Sequence, residues 1–142
     1  MKLGLREYQS KAIDSIRTML RSGKKRVIVA LPTGGGKTLL GIGVIISAVN
    51  KGKRVVFICN RIHLIEQAAQ VFAANGISFG VIQGDNTRYV DRQVIIASIH
   101  TVVKRGMPDT DLIIIDEAHF CAGDSRLIKT LAERNMVPVI GL

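Results

Sequence analysis

Val27-Ile28-Val29-Ala30-Leu31, the expected strand Arg54-Val55-Val56-Phe57-Ile58-Cys59 after its first residue, and Leu112-Ile113-Ile114-Ile115 are solid apolar runs with no polar residue at alternate positions. A strand apolar at every position has no face to give to water, so it belongs in a sheet covered on both sides. The segments between these runs carry helical spacing instead. From Glu7 to Arg21, residues Tyr8, Ala12, Ile13, Ile16, Met19 and Leu20 form an apolar stripe, which places Tyr8 in the core, while Lys11, Asp14 and Arg17 lie off it. Ser22-Gly23 ends that helix. Lys37 to Asn50 predicts a second helix, whose Gly41 and Gly43 permit close packing on a sheet. Ile62 to Ala74 predicts a third, stopped by Asn75-Gly76. Ile77 to Gln83 and Val94 to Ser98 read as further strands around a polar loop, Gly84 to Gln93. A short helix at His100 to Arg105, a helix at Ser125 to Glu133 and a last strand at Val137 to Leu142 complete the pattern. The expectation is an α/β doubly wound, mostly parallel sheet with helices on both faces, in a single domain over residues 1–142.

Composition agrees and narrows the partners. Aromatics are 4% with no Trp, so an aliphatic core is implied. Twenty Lys and Arg against 11 Asp and Glu leave a net charge of +9, which favours polyanions, nucleic acid ahead of an anionic membrane surface. Cys59 and Cys121 are too few for a disulfide framework. Pairing Cys59 with His63, or His119 with Cys121, matches no zinc spacing, so idle thiols are expected. Met1 to Glu7 holds no signal-peptide core, and the longest apolar run, Leu39 to Val49, is too short for a bilayer. The cytoplasm and no membrane partner are expected.

Thr33-Gly34-Gly35-Gly36-Lys37-Thr38 follows a predicted buried strand and opens a predicted helix, the context in which a P-loop has meaning. Glycines there let backbone N–H groups turn toward phosphates at the positive end of the helix. Lys37 would reach the β- and γ-phosphates and the Thr38 hydroxyl would ligate Mg²⁺. Leu31 stands where the general pattern has its first glycine, a departure at the strand end rather than in the cradle. Asp116-Glu117-Ala118-His119 closes another apolar strand. Doubly wound sheets bind ligands at such strand ends. Asp116 suits the Mg²⁺, partly through water, and Glu117 suits activation of the water that attacks the γ-phosphate.

These two segments together resemble motifs I and II of the superfamily 2 helicases, spelled as in the DEAH branch. The resemblance implies a RecA-like P-loop NTPase domain, the first of two, with ATP and Mg²⁺ as cofactors. It implies ATP contacts from Arg6, Gln9, Pro32, Thr33, Gly34, Gly35, Gly36, Lys37 and Thr38, and metal contacts from Thr38 and Asp116. Catalysis would fall to Glu117, Lys37 and Asp116, with His119 coupling nucleotide state to a later motif. Leu5-Arg6-Glu7-Tyr8-Gln9 resembles the segment whose Gln reads adenine, and an amide both donates and accepts as that base requires. Asn60-Arg61-Ile62-His63-Leu64-Ile65-Glu66-Gln67 resembles motif Ia, implying nucleic-acid contacts from Asn60, Arg61 and Gln67. Ser98, His100 and Thr101 fall where further backbone contacts are expected, although Ser98 and Thr101 suit helix capping equally well. Lys104 and Arg105 would extend the basic track or favour a helix C-terminus.

The implied function is an ATP-driven motor unwinding or translocating on nucleic acid, DNA ahead of RNA. The alternatives are a double-strand translocase of a restriction or remodelling enzyme, or a P-loop NTPase unrelated to nucleic acid. In the family the strand like Val137 to Leu142 runs into a Ser/Thr-Ala-Thr motif, and a second RecA-like domain with an arginine finger follows. The expectation is therefore a piece of a longer protein, nearly inactive by itself.

Overall fold

A computed structural model of the chain describes residues 4–29, 36–59, 62–83, 86–88, 93–116 and 137–142. Along the chain run α1 (Glu7–Arg21), β1 (Arg26–Ile28), α2 (Lys37–Asn50), β2 (Val55–Cys59), α3 (Ile62–Ala74) and β3 (Phe79–Gln83). They are followed by β4 (Asn86–Arg88), β5 (Val94–Ser98), α4 (Ile99–Arg105), β6 (Leu112–Ile115) and β7 (Val139–Gly141). The strands form one sheet in the order β1-β7-β6-β2-β5-β3-β4. Every pairing from β1 through β3 is parallel, and β4 pairs antiparallel with β3.

The pleat divides the core in two. Val55, Phe57 and Cys59 of β2, with Ile96, Ile114 and Ile140, face α1, α2 and α3 through Ile13, Ile16, Leu40, Ile45, Ile65 and Phe72. Val56 and Ile58, with Ile95, Ala97, Ile113 and Ile115, face the other way onto Ile99 and Val102 of α4. The continuous apolar runs are thus needed by both faces, as expected for parallel strands. Phe72 is fully buried between Phe57 and Phe79, edge to face at 5.3 and 6.0 Å between ring centres. Gly41 of α2 lies over Phe57, and a Cβ there would come within 3.1 Å of Leu142. The helix sits close to the sheet because that position carries no side chain.

Four expectations need correcting. Tyr8 is 39% exposed and Met19 38% exposed, so neither belongs to the core. The buried residues of α1 are Gln9, Ile13 and Ile16, an i, i+4, i+7 line rotated from the expected stripe. A polar residue holds the first slot because its amide finds backbone partners there. Ile28 is 82% exposed, since β1 is an edge strand with only its Val27 face covered. The supposed polar loop after Gln83 contains β4, which pairs with β3 through Gln83↔Asn86. Ala30, Leu31 and the helix expected at Ser125 to Glu133 lie outside the described residues.

Candidate functional site

The register shows where the expected motifs meet. Ile28 of β1 and Ile115 of β6 are both level with Gly141 of the intervening β7. Chain leaving β1 toward the glycine-rich segment and chain leaving β6 at Asp116 therefore exit at the same height. With two strand spacings between them, their axes lie roughly 10 Å apart. Ile58 is level with Ile115 and Cys59 with Ser98, so β2 and β5 end on the same rim. The Asp116 N–H donates to the Ile58 carbonyl at 2.9 Å, which holds the half-buried residue at the mouth of the sheet.

Helix α2 begins on this rim. Its N-cap, Gly36, sits in the left-handed region at φ 75°, ψ 42°, and no acidic residue occupies its first turn. The positive helix end is therefore uncompensated from within and suited to an anion. Lys37 and Thr38 are the first two residues of the helix. Gln9 braces the junction from α1. Its Oε1 accepts from the Arg6 N–H at 2.8 Å and its Nε2 donates to the Gly36 carbonyl at 3.3 Å. A Cβ at Gly36 would collide with the Gln9 amide, so the backbone conformation and the neighbour both require glycine there. The link to Gly36 was not legible in the sequence, because 27 residues separate its ends.

On the far side of the rim, Ser98 caps α4. Its Oγ accepts from the Thr101 N–H at 3.1 Å and donates to Thr101 Oγ1 at 2.7 Å. Both side chains are buried, so of the three residues expected at this turn it is His100 that faces solvent. Gln67 is exposed on α3. Pro32, Thr33, Gly34, Gly35, Asn60, Arg61, Glu117 and His119 lie outside the described residues.

The residues present fit a nucleotide with a hard cation: a helix N-terminus with no acid in its first turn, a lysine at its start and a carboxylate on the same rim. Cys59 does not join them. Burial, with the charge of Asp116 as a lesser cause, pushes its thiol up to about 12, so it stays protonated and is a poor metal ligand. Among the described residues no group of three or more His, Cys, Asp or Glu gathers. No helix among them is long and apolar enough to cross a membrane.

The family model described as "Type III restriction enzyme, res subunit" matches residues 2–137. The chain belongs to that family. With it the chain is a superfamily 2 helicase-type N-terminal RecA-like domain. It is 29% identical over 136 residues to the EcoKI endonuclease subunit of the type I restriction enzyme of Escherichia coli K12, matching 83% of this chain and 12% of that protein. It is 32% identical over 160 residues to Saccharomyces cerevisiae IRC3, named as an ATP-dependent helicase, matching 96% of this chain and 23% of that one. The SWI2/SNF2 ATPase core of Sulfolobus solfataricus, solved in complex with double-stranded DNA, superposes on all of this chain and 32% of its own length. That superposition has a TM-score of 0.80 at 22% identity, a likeness of fold. The chain spans less than a quarter of the length of these two curated relatives.

Proposed function

We propose that this domain is the ATP-binding half of a motor that couples ATP hydrolysis to movement along nucleic acid, DNA ahead of RNA. The observation that carries the reading is the shared exit level of β1 and Asp116, with the N-terminus of α2 on the same rim. In this reading the segment from Pro32 to Gly36 wraps the phosphates, Lys37 holds the β- and γ-phosphates, and Thr38 and Asp116 hold Mg²⁺. Bound Mg²⁺ would neutralise charge on the phosphate oxygens. Glu117 orients and deprotonates the attacking water, and His119 of the DEAH-type motif passes on the outcome. Arg6 and Gln9 take the adenine. Both ends of the Gln9 amide hold backbone groups, so a base bound there meets a side chain that also braces Gly36.

Nucleic acid would lie over Asn60, Arg61, Gln67 and His100, with Ser98 and Thr101 acting on it by setting the first turn of α4. A second RecA-like domain supplies the arginine finger, worth about 10³–10⁵ in rate in related phosphoryl transfer, so this domain by itself hydrolyses ATP very slowly. The restriction-enzyme family model and the EcoKI subunit fit the alternative, a double-strand translocase, no better than IRC3 fits an unwinding motor.

Calorimetric titration of Mg-ATP and Mg-ADP into wild type and Lys37→Ala tests the nucleotide site. The expected outcome is weak wild-type binding that the variant loses. Equal binding by both proteins would remove Lys37 from the site, and rapid turnover by the 142-residue chain would remove the need for a second domain.

A further inference from the structure

The opposite end of the sheet carries a second concave surface. Helices α1 and α2, with the amino ends of β6 and β7, line a groove of about 400 Å³. Its walls are aliphatic: Ile13, Ile16 and Leu20 from α1, Val44 and Ala48 from α2, with Leu112 and Pro138 at the strand ends. Arg17 and Arg21 of α1 stand on one rim, and Lys51 and Lys53 of the turn after α2 on the other. Arg17 is engaged locally, donating to Ser47 Oγ at 3.0 Å and to Asp14 at 3.3 Å. Arg21, Lys51 and Lys53 are exposed. Asp111 is the one acid in the lining, and it is held by Arg54, whose N–H donates to it at 2.9 Å. With Arg17 paired to Asp14 and Asp111 to Arg54, the exposed Arg21, Lys51 and Lys53 leave the rim positive around an apolar floor.

We propose that this groove docks an acidic amphipathic helix of a partner protein, its apolar face in the groove and its carboxylates on Arg21, Lys51 and Lys53. Complementarity of charge selects that occupant. A second copy of this chain carries the same +9 charge and would be repelled. Single-stranded nucleic acid seats its bases on aromatic side chains, and the groove lining contains none. A bilayer is reached by protruding apolar groups, whereas these lie below a rim of cations. Helix-in-groove recognition needs what is present, an apolar trough with flanking charge to fix orientation. The groove also lies at the strand ends away from Gly36 and Asp116, so its occupant leaves the nucleotide rim open. Along α1, Gln9 and Arg21 are separated by about 18 Å of helix rise.

The test titrates the 142-residue chain into a fluorescein-labelled helical peptide with leucines on one face and glutamates on the other. Saturable one-to-one binding is expected, unaffected by Mg-ATP. The exposed charge reversals Arg21→Glu, Lys51→Glu and Lys53→Glu together should weaken it by roughly tenfold or more. Replacing the peptide's leucines by serine at unchanged charge should abolish binding, a control that places no demand on protein folding. The proposal fails if the peptide does not bind, if the serine peptide binds as well, or if Mg-ATP displaces it. It also fails if duplex DNA or phosphatidylserine vesicles compete for the same three side chains, or if the chain self-associates through them.

Discussion

Gly36 and Gln9 show how closely one residue constrains another. Gly36→Ala places a side chain at positive φ, costing about 1–2 kcal/mol, and pushes the new methyl into the Gln9 amide. Gln9→Ala removes the part-buried partner of the Arg6 N–H and the Gly36 carbonyl, a cost of about 0.5–1.5 kcal/mol. Urea unfolding should show both variants destabilised, with Gly36→Ala the worse, and Gln9→Ala should also bind Mg-ATP more weakly. Cys59 offers a second check. It is fully buried, and its folded value stands above the ordinary 9.0. The unfolded chain therefore loses this proton first, so the stability linked to it is intact below pH 9 and falls as pH rises toward 12. Iodoacetamide at mildly alkaline pH should leave Cys59 unmodified in the folded protein and label it in urea, with peptide mapping separating it from Cys121.

At the scale of the element, a strand's rank in the sheet decides what its apolar residues are worth. Phe72 of α3 fills the space between Phe57 and Phe79, so Phe72→Ala should cost about 3–5 kcal/mol. Ile28 is an equally apolar residue on an edge strand and mostly in solvent, so Ile28→Thr should change stability by no more than about 0.5 kcal/mol. Denaturant midpoints of the two variants check both values. The helices were legible because their signals are local. The ranges expected for α1, α2 and α3 coincide with those found, each bounded by a glycine-containing turn or the glycine-rich segment. Strand β4 was hidden because Asn86-Thr87-Arg88 has no apolar pattern and owes its extension to pairing with β3.

For the whole molecule, charge and topology divide the work. The sheet brings the ends of β1 and β6 to one carboxyl rim, and the chain as a whole carries a net charge of +9. Nucleic-acid affinity should be independent of sequence and should fall linearly in logarithm as the logarithm of salt concentration rises, through counterion release. Fluorescence anisotropy with unrelated duplexes across a salt series checks this. An affinity that holds at high salt or depends on sequence would contradict it.

The fold class and the two ends of the candidate site follow from local chemistry. Runs such as Leu112-Ile113-Ile114-Ile115 favour buried strands, and a glycine-rich segment before Lys37 can open a helix with its amide groups free for phosphate. Strand order could not be read this way, because parallel pairing joins residues far apart in the chain and leaves no periodic mark on either partner. Only the tertiary structure inserts β7 between β1 and β6, which sets the separation of Asp116 from the end of β1. The same long-range packing buries a glutamine where a tyrosine was expected, because the Gly36 carbonyl, distant in sequence, arrives beside it.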